Sequence, residues 1–240
     1  RVVNLELFQR WLPTRKSGPL KIGIAILVLL FLGQFWVGIG PSVEAAALVK
    51  RSVVENGEWW RMITGGLLHG DPIHILFNGM AFYSLGRVIV SLVSPSLLSI
   101  VFLFTVITGS LASLGWMDIE GKSVGASGGI LGCLGFLLVL TWKFRADLPR
   151  YLQAACIRAT IVMAIFGLLG HRFIDNAGHA GGFLGGLMLG LVFYPYLKLA
   201  DGTTTLPIRM LSIFSLSILV SGVAKVVYEL WGLAQATALI

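Results

Sequence analysis

Long apolar runs alternate with short polar breaks along most of this chain. A spanning helix needs roughly 20 mostly apolar residues. Seven runs reach or approach that length, at about 22–40, 73–90, 95–116, 125–142, 157–174, 177–197 and 207–230. Lys225 and Glu229 interrupt the last, so its full crossing is left open by the pattern. Residues 41–72 break the rhythm. They carry Glu44, Lys50, Arg51, Glu55, Glu58, Arg61 and Asp71 beside Trp59 and Trp60. This stretch reads as a folded interfacial loop with short amphipathic helices. No internal repeat or low-complexity tract is present, and the chain is expected to form one all-α polytopic transmembrane bundle.

Composition agrees with that picture. Hydrophobic residues make up 56% of the chain and charged residues 12%, about half the charged share of a soluble domain. Cys133 and Cys156 both fall in apolar runs, so no disulfide framework is indicated. The first apolar run is long enough to span and reads as a retained helix rather than a cleaved leader. The net charge of +7 invites a nucleic-acid reading, but the basic residues sit at helix ends. A cytoplasmic N-terminus puts Arg1, Arg10, Arg15, Lys16, Lys21, Arg87, Lys143, Arg145, Arg150, Arg158, Lys198 and Arg209 inside. Lys50, Arg51, Arg61, Lys122 and Arg172 fall outside. Twelve against five matches the positive-inside bias. The expected partner is the lipid bilayer, with no nucleic acid.

With that orientation the second, fourth and sixth runs all enter from outside. His69, His74 and Asn78 then lie at or near the outer end of the second, Ser127 of the fourth and His179 of the sixth. A serine hydroxyl is a poor nucleophile until a base such as histidine lies within hydrogen-bond reach, and Ser127 with His179 supplies that pair. His74 and Asn78, four apart, share one helix face. With the Ser127 N–H they offer donors where an oxyanion would develop. Ser127 also stands near a helix N-terminus, which favours negative charge. Gly128, Gly132 and Gly135 follow Ser127, and Gly182 and Gly186 follow His179, at helical spacing. Such small residues let transmembrane backbones approach closely. Asp175, four before His179, is expected at the surface, which makes a Ser-His dyad the expected arrangement rather than a triad.

Four motifs in order carry a resemblance. They are Gly57-Glu58-Trp59-Trp60-Arg61, His69-x4-His74-x3-Asn78, Gly125-Ala126-Ser127-Gly128 and His179-x2-Gly182-x3-Gly186. Over about residues 57–195 the chain resembles the rhomboid intramembrane serine proteases. The resemblance implies Ser127 as nucleophile, His179 as general base, and His74, Asn78 and the Ser127 N–H as the oxyanion site. It implies transmembrane protein substrates cut near the outer end of their helices, with no cofactor or metal. Six core helices plus a seventh resemble one branch of the family. The expected division is therefore a cytoplasmic segment 1–21, a membrane core 22–197, and a linker with a seventh helix over 198–240. A bacterial plasma membrane is the expected setting. Two positions depart from the family pattern. Leu131 stands where Tyr or Phe commonly stacks on the histidine, and Val90 where many members carry glutamate.

Other readings remain open at this point. Ser127 also fits as a small residue at a tight helix crossing, His179 as a tie between helices, and His74 with Asn78 as a polar clamp. His69 fits loop anchoring as well as catalysis, His171 an interfacial role, and Trp59, Trp60 and Arg61 an interfacial anchor that shapes the loop. A catalytically silent rhomboid-like protein that binds transmembrane helices is the main alternative. A transporter would need a polar path through the inner halves of these helices, which offer few polar residues. A metal site from His69, His74 and His179 would need a further carboxylate or thiolate, and no HExxH pattern is present.

Overall fold

The structure is a computed structural model and describes residues 17–171, 173–197, 199 and 204–238. Most of the expected cytoplasmic segment, with Arg172, Lys198 and 200–203, lies outside the described residues. The elements in chain order are α1 (Gly18–Val37), α2 (Ile39–Ala46), β1 (Leu48–Val49), α3 (Lys50–Asn56), α4 (Arg61–Thr64), α5 (Pro72–Leu92), α6 (Pro95–Trp116), β2 (Lys122–Ser123), α7 (Ser127–Lys143), α8 (Arg150–Leu169), α9 (Asn176–Phe193) and α10 (Leu206–Ala238). Short 3-10 turns follow α4 and α9. Among the described residues six helices are long and apolar enough to cross a membrane, and α7 is a shorter apolar helix of 17 residues. This is a multi-pass helical membrane bundle.

Local chemistry fixes several helix starts. Asp71 caps α5 by accepting from His74 N, Ser94 caps α6 by accepting from Leu97 N, and Asp175 caps α9 by accepting from Gly178 N. Each supplies an acceptor to N–H groups that have none within the helix. Pro72 and Pro95 then occupy first-turn positions where a missing N–H costs nothing.

Helix α7 is the buried centre, packed between α6 and α9 with α5 and α8 beside it. At 1.5 Å per residue its 17 residues span about 25 Å. The residues at its N-terminus, Ala126 to Gly129, are buried or half-buried. Irregular backbone at membrane depth is tolerated where protein covers it, and here residues 41–71 form the cover. The extended pair β1–β2 joins Leu48 to Ser123 and Val49 to Lys122, and Gly125 N donates to the Gly65 carbonyl at 2.9 Å. Arg61 organises the same cover. Its buried guanidinium pairs with Glu58 at 2.5 Å, donates to the Glu44 and Ala47 carbonyls, and lies 4.7 Å from the centre of the Trp60 ring.

Two spans differ most from their expected bounds. The fifth, expected over 157–174, is helical over Arg150–Leu169. Its first turns carry Arg150, Gln153 and Arg158, which lower the hydropathy without breaking the helix, and Gly170 ends it. Helix α8 buries only Cys156 and Gly167, so most of its surface is left for lipid. The seventh runs unbroken over Leu206–Ala238. Lys225 and Glu229 do not interrupt it, because they pair one turn apart at 2.6 Å. The Lys225 ammonium also lies 4.4 Å from the centre of the Trp60 ring. A paired charge with an aromatic face is far cheaper to desolvate than a bare one. Helix α10 packs on α6, α1, α2 and α4, and Ser99 and Ser212 share a hydrogen bond across the α6 contact.

Candidate active site

The approach of α7 to α9 sets the geometry. A β-carbon on Gly182 would meet the Gly128 carbonyl, and one on Gly186 the Gly132 carbonyl. With only hydrogen atoms at those positions the helices touch backbone to backbone. Ser127, first residue of α7, and His179, fourth of α9, then face each other. His179 Nε2 and Ser127 Oγ are 2.7 Å apart, a hydrogen bond across two helices. Both residues are half-buried, which leaves the pair reachable.

The third helix of the site is α5. Gly125 has φ +126°, a backbone conformation that side-chain-bearing residues rarely adopt. A β-carbon there would lie 2.6 Å from His74 Cε1, 2.7 Å from its Nε2 and 3.5 Å from Asn78 Nδ2. His74 and Asn78 thus crowd the backbone two residues before Ser127. Asn78 Nδ2 is buried and has no hydrogen-bond partner among the described residues, although most buried donors have one. At the start of α7 the first intrahelical donor is Ile130 N, bonded to the Ala126 carbonyl. The N–H groups of Ser127, Gly128 and Gly129 therefore have no intrahelical acceptor. Beside them is a cavity of about 30 Å³, lined by Ser110, Ser123, Ser127, Asp175, His179 and several glycines. That is room for a water molecule or two.

The remaining residues singled out from sequence fall around this centre. His69 is fully buried, and its ring meets that of His74 edge-on at 5.1 Å. Burial, with the neighbouring His74, pushes the His69 imidazole down to about 3, so it stays neutral near pH 7. It buttresses His74 from behind. Leu131 and Val90 are buried in the hydrophobic core. His171 is exposed and bonds the Leu168 carbonyl, and Trp59 is exposed in the cover. Asp175 departs from expectation. It is half-buried rather than at the surface, and its carboxylate accepts from Ser113 Oγ, Ser123 Oγ and Gly178 N. Those bonds aim it at the helix start and two serines. Among the described residues no group of three or more His, Cys, Asp or Glu is arranged to hold a metal ion.

Gln34 was not singled out from sequence. It is fully buried on α1, donates to the His69 carbonyl at 3.1 Å and accepts from His69 N at 3.0 Å. A lone polar residue in an apolar span was the available signal. Gln34→Ala leaves both backbone groups of His69 unpaired in the interior. A loss of roughly 1–3 kcal/mol is expected, read as a lower thermal midpoint in detergent.

The fold and site define a membrane-embedded helical protein with a hydrogen-bonded serine and histidine beneath the loop of residues 41–71. Residues 56–196 match the family model of the Rhomboid domain, and the chain belongs to the rhomboid family. It is 35% identical over 192 residues to Rhomboid protease GluP of Bacillus subtilis, covering 78% of this chain and 36% of that protein. It is 29% identical over 195 residues to Putative rhomboid protease YdcA of the same organism, covering 79% of this chain and 92% of that protein. It is also 30% identical over 145 residues to Inactive rhomboid protein 1 of Danio rerio, covering 59% of this chain and 16% of that protein. The chain thus spans about a third of the length of GluP and nearly all of YdcA.

Proposed function

We propose that this protein is an intramembrane serine endopeptidase that cleaves transmembrane segments of membrane proteins with a Ser127–His179 dyad. The hydrogen bond of 2.7 Å between these two residues carries the reading. His179 Nε2 takes the proton as Ser127 Oγ attacks the scissile carbonyl, and a tetrahedral oxyanion forms. The oxyanion sits among the Ser127 N–H, Asn78 Nδ2 and the His74 ring. The imidazolium returns the proton to the leaving amine, leaving an acyl-enzyme. Water, activated by His179, attacks the ester and releases the new carboxylate and free Ser127. No metal or cofactor enters any step.

The substrate is a transmembrane helix that unwinds locally near its outer end, because a helical peptide bond is sterically shielded. The enzyme core is 22–197, and 198–240 adds the seventh helix. The N-terminus lies in the cytoplasm of a bacterial cell and the site opens toward the outer face of the plasma membrane.

The test is cleavage of generic transmembrane substrates by the purified protein in liposomes, with a chelator present. Wild type is expected to cut. Asn78→Ala is expected to cut about 10²–10³-fold more slowly, the usual cost of one oxyanion donor. No cleavage across several substrates with helix-breaking residues would overturn the proposal. Weight would then move to a silent protein that binds transmembrane helices, the state named for the Danio rerio relative, and Leu131→Tyr would be the next variant.

A further inference from the structure

We infer that Asp175 is the positioning residue that holds the nucleophile loop and the base helix at a fixed separation, an inference that rests on the dyad reading above. Its carboxylate joins three elements. Oδ2 accepts from Ser113 Oγ at 2.5 Å, near the C-terminal end of α6, and from Ser123 Oγ at 2.6 Å, in β2. Oδ1 accepts from Gly178 N at 2.8 Å, the residue before His179. The Asp175 carbonyl also accepts from His179 N at 2.9 Å. One residue therefore fixes the first turn of α9 through side chain and backbone together.

The spacing gives those bonds their meaning. Ser123 precedes Ser127 by four residues, and Asp175 precedes His179 by four. The Ser123–Asp175 bond is a crosslink at equal offset behind the two reacting groups. The Ser127–His179 bond closes the far side of that ring. Beyond Ser123 the chain reaches Ser127 through Gly125, at φ +126°, a residue with no β-carbon to restrict its backbone. Asp175 also faces the cavity beside Ser127, so its loss would loosen a wall of the site. Reacting atoms misplaced by about 1 Å cost on the order of 100-fold in rate, and this crosslink opposes a shift of that size.

A helix cap alone would also explain the Gly178 bond, and the two roles predict different results. The experiment measures kcat and KM for a transmembrane substrate, the rate of Ser127 labelling by a fluorophosphonate, and the thermal midpoint. The variants are Asp175→Ala, Asp175→Asn and the pair Ser113→Ala/Ser123→Ala. In Asp175→Ala, kcat and labelling are expected to fall together by about 10–100-fold, with KM unchanged. Asp175→Asn is expected to recover most of that loss. Asparagine caps as well as aspartate, and its amide can donate to hydroxyls that also accept. The paired serine variant keeps the cap and is expected to label slowly, with a smaller drop in midpoint than Asp175→Ala. Wild-type labelling rates in folded Asp175→Ala or in the serine pair would overturn the clamp while leaving the dyad intact. A wild type that neither cleaves nor labels would remove the dyad reading, and this inference with it.

Discussion

Ser127→Ala and His179→Ala are each expected to reduce cleavage by on the order of 10⁶-fold, and the double variant is expected to lose no more than either single one. The non-additivity is the diagnostic part. In the proposed mechanism His179 removes a proton from Ser127 Oγ, 2.7 Å away, so with the hydroxyl gone the base would have nothing to activate. Two residues that contributed independently to the rate would give losses that add. Rate constants should be compared under single-turnover conditions, which keep substrate entry through the bilayer from masking the chemical step. Midpoints near wild type for both single variants would exclude unfolding as the cause. Full cleavage by either would sink the dyad. Additive partial losses would mean that Ser127 and His179 do not act as one catalytic unit.

The same pair shows what could be read from the sequence. Apolar run lengths gave the number of long helices, and the motif spacing put His74 with Asn78, Ser127 and His179 near the N-terminal ends of three of them, which the structure brings together. Run length alone misjudged α8. A helix can begin in polar sequence, and Arg150, Gln153 and Arg158 hid its first turns. It also left the seventh span open at Lys225, because hydropathy counts a charge without its partner, here Glu229 and the Trp60 face. Gln34 and Asp175 were illegible for another reason. Each acts through bonds to groups far away in sequence, 35 residues to His69 for the one and 52 to Ser123 for the other. Asp175 stood out as a neighbour of His179, yet spacing could not say that its carboxylate turns to Ser113, Ser123 and Gly178 N instead. The glycine pattern foretold close helices but not that carbonyl groups form the contact.

That contact carries the second large effect. Gly186→Ala is expected to cost about 3 kcal/mol or more, at the upper end of overpacking losses, and to abolish cleavage by the protein that remains folded. A β-carbon at Gly186 would drive into the Gly132 carbonyl. Neither side can yield, because both are helix backbone and Gly132 itself is pressed on Thr105 of α6. The helices must separate, and the separation reaches Ser127 and His179 at their N-terminal ends. A hydrogen bond of 2.7 Å weakens steeply over such a displacement. Gly232→Ala is the matched control, since a β-carbon there meets nothing within 4 Å. It should leave activity unchanged and the midpoint level or slightly raised, because alanine favours a helix over glycine. The measurement is thermal unfolding in detergent beside fluorophosphonate labelling of the folded fraction. A Gly186→Ala protein with wild-type midpoint and labelling would mean that α7 and α9 do not pack backbone to backbone. The close approach that brings Ser127 to His179 would then have to come from elsewhere.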